Sequence, residues 1–258
     1  MYLYIDKGGT YTRYQIDNGE ILISEEKNFI SFLKQILQVH KDITHVNISF
    51  AGQVNNNIIH SAPNIGIENF DFNEAFPNHK IKIDNDLNCA VLAESKYFNE
   101  KNIVALYVGT GIGAGIVTGG NLVHGVANCA GEIGHIPFKA TPFLCGCGKN
   151  NCVELHTSGI ALSKWSKHLG KEIKSLDEFP ETLYKEFLEG LMFSVSILVN
   201  IFNPKVLVMG GGVISNNPFL VDYIKDNISK YAFQNNLKEL LIEMTSLENA
   251  PLDGAKLL

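Results

Sequence analysis

The sequence predicts an α/β chain made of two related halves, with a metal-binding loop in the second. Two observations carry the duplication. Tyr2–Ile5 reads as a strand entering Asp6-Lys-Gly-Gly-Thr10 and leaving as another strand. Asn102–Val108 does the same through Gly109-Thr-Gly-Ile-Gly-Ala-Gly115 into Ile116–Thr118. Paired glycines with a hydroxyl at a strand end make a turn whose amides can face a phosphate. The third observation is Cys145-Gly-Cys147-Gly-Lys-Asn-Asn-Cys152-Val-Glu154, ten positions after His135. Three cysteines and a histidine are the usual four ligands of a closed structural zinc site.

Taken in order, Tyr11–Ile16 and Glu20–Ser24 continue the first strand as antiparallel neighbours around an Asp17-Asn-Gly19 turn. Apolar residues at Phe29, Ile30, Leu33, Ile36 and Leu37 have helical spacing, which predicts a helix over 28–39. His45–Phe50 is a buried-type strand ending in Ala51-Gly52, and Ile58–Asn64 and Lys80–Ile83 are further strands. A short helix over 72–76 stops at Pro77. Asp84-Asn-Asp86 ends a strand and opens a helix that reaches Glu94. Asp86 is then either a helix cap or a general base at a strand's carboxyl end.

The glycines after Val108 alternate and lead into a strand, so the dinucleotide fingerprint, which opens a helix, does not apply. Beyond the cysteine loop, Thr157-Ser158-Gly159 precedes an amphipathic helix to Leu169. Pro180 opens a helix to Phe202 that Asn203-Pro204 ends. Lys205–Met209 is a strand entering Gly210-Gly-Gly212. A helix over 219–231, a strand over 240–245 and a final helix over 250–258 complete the chain.

The net charge of −6 with no Lys/Arg cluster argues against nucleic acid or an anionic membrane as partner. No apolar stretch reaches membrane-spanning length; residues 191–202 are the longest, broken by Ser194, Ser196 and Asn200. Five cysteines behind an N-terminus too short for a signal segment point to a reducing, cytoplasmic setting and to metal or free thiols rather than disulfides. Cys89 and Cys129 are expected as small core residues. The alternative to zinc is three buried thiols beside an unrelated histidine, against which the polar, Gly-rich surroundings argue. A metal knot there would fix His135, Glu132 and Glu154 as a scaffold for a substrate site.

Together these stretches resemble the ROK family (repressors, open reading frames and sugar kinases) of the actin-like ATPase and hexokinase superfamily. The carriers are Asp6-Lys-Gly-Gly-Thr10, Asp84-Asn-Asp86, Gly109–Gly115, Glu132-Ile-Gly-His135, Cys145–Glu154 and Gly210–Gly212, in family order. The resemblance implies a two-lobed actin-like ATPase fold of duplicated ribonuclease H-like halves: a small lobe of residues 1–101 with 247–258, and a large lobe of 102–246 holding a zinc loop at 135–152. It implies ATP- and Mg²⁺-dependent phosphorylation of a hexose, with Asp86 as base. Gly52, Asn64, Asn85, Asp86, Glu132, His135 and Glu154 would hold the sugar. Asp6, Gly8, Gly9, Thr10, Gly109, Thr110 and Gly111 would surround the phosphates and Mg²⁺, with Gly211 and Gly212 beside the adenosine. His135, Cys145, Cys147 and Cys152 would bind structural zinc, His135 reaching sugar with its other nitrogen. A homodimer is expected, and no DNA-binding segment, because the phosphate turn begins at Asp6.

Three departures stand out. Lys7 replaces a small or apolar residue, as a further phosphate contact, a mark of relaxed function, or a tolerated outward-pointing side chain. Ser49-Phe-Ala-Gly52-Gln53 lacks the family's Pro-Gly-Pro-like form, and residues 154–210 are short for the family. Glucose, fructose, N-acetylglucosamine and N-acetylmannosamine are the candidate substrates. A sugar-binding sensor or interaction protein without turnover is the alternative function.

Overall fold

A computed structural model describes residues 1–258. In chain order the elements are β1 (Tyr2–Lys7), β2 (Thr12–Ile16), β3 (Leu22–Ser24), α1 (Phe29–Val39), β4 (His45–Phe50), β5 (Gln53–Asn55), β6 (Ile58–Ala62), β7 (Ile67–Asp71), α2 (Phe72–Ala75), β8 (Lys80–Asn85) and α3 (Asp86–Phe98). There follow β9 (Ile103–Val108), β10 (Ile112–Thr118), β11 (Asn121–Leu122), α4 (Gly159–Leu169), α5 (Glu181–Phe202), β12 (Val206–Gly210), α6 (Gly212–Asn216), α7 (Phe219–Asn227), α8 (Gln234–Leu237), β13 (Leu241–Met244) and α9 (Ala250–Ala255).

The chain divides into two compact units. The first holds Met1–Phe98, Leu122–Ala130 and Leu247–Leu258; the second holds Asn99–Asn121 and Gly131–Ser246. Each is built on a five-stranded sheet of the same design. In the first the order is β3-β2-β1-β4-β8, with β1 antiparallel to β2 and parallel to β4, and β4 parallel to β8. In the second it is β11-β10-β9-β12-β13, with β9 antiparallel to β10 and parallel to β12, and β12 parallel to β13. The duplication is therefore topological as well as sequential.

One face of the first sheet carries Leu3, Ile5, Val46, Ile48 and Phe50. It packs on the apolar stripe of α1, where Phe29, Phe32, Leu33, Ile36 and Leu37 are buried. Asn28 caps α1, its side chain accepting the Ser31 N–H at 3.0 Å. Burying each of those large side chains contributes about 1.5–3 kcal/mol. α9 packs on α3 so closely that a Cβ on Gly254 would fall 1.7 Å from the Cys89 carbonyl oxygen.

Several sequence expectations need correction. β10 begins at Ile112, not Ile116, because Ile112 pairs with Val108 and leaves only Gly109–Gly111 for the turn. The single strand expected over 58–64 is the middle of an antiparallel sheet, β5-β6-β7, whose short strands carry too few periodic positions to register alone. The helix expected over 219–231 is α7 followed by a 3₁₀ turn at Ile228–Lys230. Cys89 is buried as expected, but Cys129 is half-buried, hydrogen-bonded by Gln53 Nε2 at 3.0 Å. No helix is long and apolar enough to cross a membrane.

Candidate functional site

In the first unit, Asp6, Ser49 and Asp84 stand side by side at the carboxyl ends of β1, β4 and β8. Asp6 is buried; it accepts from Ser49 Oγ at 3.1 Å and faces Arg13 Nη1 at 3.5 Å. Burial pushes its carboxyl above the ordinary range, and Ser49 and Arg13 pull it part of the way back. Gly8, Gly9 and Thr10 form the turn between β1 and β2. A Cβ on Gly9 would lie 4.0 Å from Asn64 Cβ, so Asn64, expected at the sugar, borders this turn.

Asp86 is the first residue of α3 and is half-buried. The cap at this helix end is shared: the Leu87 N–H points to Asn85 Oδ1 at 2.9 Å and to Asp86 Oδ1 at 3.0 Å. The other end of the Asn85 amide donates to the Gly52 carbonyl at 3.2 Å. Gly52, Asn85 and Asp86 are thereby brought together, with Asp86 at the positive end of a helix, where a carboxylate is favoured.

Sequence reasoning missed the group behind them. Asp84 is buried and accepts four hydrogen bonds: from the Asn85 N–H at 2.7 Å, Asn88 Nδ2 at 2.8 Å, Asn128 Nδ2 at 3.0 Å and His124 Nε2 at 2.8 Å. A carboxylate so saturated is a fixed post. It pins residues 122–130 to the start of α3 and lines a polar cavity of about 700 Å³ with Asn55, Asn57, Lys82 and His124. No spacing rule links His124 or Asn128 to Asp84, some forty positions away.

The second unit holds the cysteine loop. Residues 136–138 and 151–153 run antiparallel, with Phe138 N–H bonded to the Asn151 carbonyl at 2.7 Å and Val153 N–H to that of Ile136 at 3.0 Å. This ladder returns the chain to His135. A tight turn, Gly148 N–H to Cys145 carbonyl at 2.9 Å, brings Cys145 and Cys147 in. The ligand atoms of His135, Cys145, Cys147 and Cys152 all lie within 4.8 Å of one another. Burial, with the neighbouring thiols adding, pushes Cys152 up to about 12, and burial raises Cys145, while the Lys149 backbone N–H lowers Cys147. Crowded thiols that resist ionising together are what a dication relieves, so this donor set fits zinc.

Around that knot, His135 turns Nδ1 to Cys145 Sγ at 3.5 Å and Nε2 to Glu132 Oε2 at 3.7 Å. Cys145 Sγ lies 3.4 Å from Glu154 Oε1, and the other Glu154 oxygen faces the Ile112 N–H at 3.4 Å. Glu132, His135 and Glu154 are therefore gathered on one loop, and Glu154 also touches the Gly109–Gly111 turn. Gly131, at φ +91°, crosses β10 where a Cβ would meet the Ala114 carbonyl oxygen at 1.9 Å. That close approach fixes the backbone just before Glu132, whose side chain is exposed.

The carbonyls of Gly109 and Thr110 accept the N–H groups of Gly159 and Ile160 at 2.8 and 2.9 Å, tying the turn to the start of α4. A Cβ on Gly109 would lie 3.8 Å from Gly212 N, so the turns expected at phosphate and adenosine adjoin. Past α6, Phe179, Tyr184, Asn217 and Phe219 line a groove of about 470 Å³. Lys7 does not point outward: it is buried, and burial lowers its pKa.

The ROK family model matches residues 3–258. A glucokinase of Halalkalibacterium halodurans is 29% identical over 266 residues, covering 88% of this chain and 79% of that protein. A beta-glucoside kinase of Listeria innocua is 29% identical over 260 residues, covering 92% and 86%. The crystal structure of a ROK hexokinase from Thermus thermophilus superposes with a TM-score of 0.81 at 23% identity, over 98% of this chain and 96% of that one. That likeness shows the fold, the duplicated actin-like ATPase architecture that the two matching sheets express.

Proposed function

The chain belongs to the ROK family, and we propose that it is an ATP-dependent sugar kinase that phosphorylates a hexose hydroxyl. The observation that carries the reading is the position of Asp86, at the carboxyl end of β8 and the amino end of α3, with Asn85 bridging it to Gly52. A carboxylate held there by backbone is placed to take the proton of an attacking hydroxyl. The hydroxyl oxygen then bonds to the terminal phosphorus as its bond to the departing diphosphate breaks. Positioning and charge neutralisation supply most of the acceleration in such transfers.

In this reading Asn64, Asn85, Glu132, His135 and Glu154 hydrogen-bond the sugar hydroxyls. Asp6 holds Mg²⁺, and Gly8–Thr10 and Gly109–Gly111 receive the phosphates. The groove beside Phe179, Tyr184 and Phe219 supports the reading by offering aromatic faces next to α6 for a nucleobase. His135, Cys145, Cys147 and Cys152 would hold zinc, which would supply a rigid tie orienting His135 and Glu154. Relatives named for glucose, beta-glucosides and N-acetyl-D-glucosamine support a sugar acceptor and leave its identity to measurement.

The test is coupled ADP release from Mg-ATP with glucose, mannose, fructose, N-acetylglucosamine and N-acetylmannosamine, using Asp86→Ala as the blank. Turnover with one sugar, absent from the blank, supports the proposal. Silence with all five in folded, zinc-containing protein counts against it and favours a sugar-binding protein without turnover.

A further inference from the structure

Lys7 and Thr12 close the base of the Gly8–Thr10 hairpin, opposite each other in the β1–β2 register. Residues opposite in an antiparallel pair share a face, so both side chains project to the side of Phe50, which is paired with Lys7 across β4. Both are buried, Lys7 at 2% and Thr12 at 0% exposure. Thr12 Oγ1 is a buried hydroxyl with no partner, and the Lys7 ammonium, held by no hydrogen bond, feels only the through-space attraction of the Asp6 carboxylate. That attraction is not a contact: successive strand side chains alternate in direction, and the Asp6 carboxylate is engaged by Ser49 and Arg13.

A cation partly withdrawn from water beside an orphaned hydroxyl destabilises the fold unless something repays it. An apolar residue at position 7 would continue the core of Leu3 and Ile5 without that cost. The glycines that follow Lys7 have open surroundings: a Cβ on Gly8 or Gly9 would meet nothing nearer than 3.8 Å. Four donors — the ammonium hydrogens and one hydroxyl — match the oxygens of a tetrahedral oxyanion. A neutral sugar hydroxyl would not compensate the charge.

We propose that Lys7 and Thr12 form a phosphoryl-binding point at the base of this hairpin, adding side-chain donors to its backbone amides. The proposal rests on reading Gly8–Thr10 as a phosphate turn. The phosphoryl group is either the terminal phosphate of the nucleotide or one carried by the sugar, and the two sources separate in direct binding.

Calorimetric titration of zinc-loaded wild type, Lys7→Met and Thr12→Val with AMPPNP, ADP and glucose 6-phosphate tests it. Each variant should melt above the wild type when ligand-free. Each should weaken one phosphoryl probe by about tenfold or more, ~1.4 kcal/mol. A loss with AMPPNP but not ADP assigns the terminal phosphate; a loss with glucose 6-phosphate assigns the sugar's. Wild-type affinity for all three probes in both variants overturns the proposal. Thr12→Val keeps the shape of the side chain, so it tests the site even if Lys7→Met fails to fold. Binding needs no turnover: a protein that holds AMPPNP through Lys7 and phosphorylates no sugar sinks the kinase reading and leaves this one standing.

Discussion

Glu132 Oε2 lies 3.7 Å from Nε2 of His135, whose other ring nitrogen faces the Cys145 thiol. One imidazole thus joins the thiol knot to a carboxylate proposed to hold sugar. Were Nδ1 to hold a metal, Nε2 would carry the ring proton, and its orientation would follow from the knot.

Zinc removal should therefore act on sugar binding first. Purified protein is expected to carry one zinc per chain by elemental analysis. Stripping it with a chelator should weaken sugar affinity by about tenfold or more, the usual scale for a disturbed metal support, and nucleotide affinity less. Equal sugar affinity with and without metal would contradict the link through His135.

Asp86→Asn should retain sugar binding and lose turnover by roughly 10²- to 10⁴-fold, the range ascribed to a positioned base. Calorimetry with the sugar and single-turnover kinetics separate the two effects. A variant that turns over like the wild type removes Asp86 from the chemistry.

Gly254→Ala tests the α3–α9 contact. The added methyl would fall 1.7 Å from the Cys89 carbonyl oxygen and 2.7 Å from its Cα, so backbone must move. Overpacking of this kind costs about 1–3 kcal/mol, occasionally more. Urea unfolding should show a lowered midpoint; an unchanged midpoint means that the two helices do not pack this closely.

Asp6 gives a pH signature. Its folded pKa is raised, chiefly by burial, above the ordinary value of 3.8. The native state then binds more protons than the unfolded chain between those two values, so this group lowers stability as pH rises through that window. Asp6→Asn should be more stable than the wild type at neutral pH, with the difference shrinking as pH falls toward 4 in urea titrations. A constant difference across that range would place the effect elsewhere. The same variant should lose Mg²⁺-dependent nucleotide binding.

Much of this was legible in the chain because it is local. Helix α1 announced itself by apolar spacing, and α5 by Pro180 before it and Asn203 after it, the latter at φ +44°. The four residues that the structure gathers as possible metal ligands were visible from residue type and spacing, since a loop rich in glycine can close on itself. The start of β10 was misplaced because alternating glycines look like a turn until the pairing of Ile112 with Val108 is known. The β5-β6-β7 sheet escaped because its short strands carry little periodicity.

By itself, the sequence determined the order of most strands, of the glycine turns and of the helices, the duplication, and the residue types proposed for metal, phosphate and sugar. Only the tertiary structure decided which charges are spent and which are held in reserve. Asp84 is consumed by His124, Asn88 and Asn128, and Asp6 is shared between Ser49 and Arg13. Lys7, which sequence left free to point outward, is buried opposite Thr12. The reason is physical: periodicity reports the nearest few residues, whereas desolvation and pairing depend on strands and loops that meet across forty or more positions of chain.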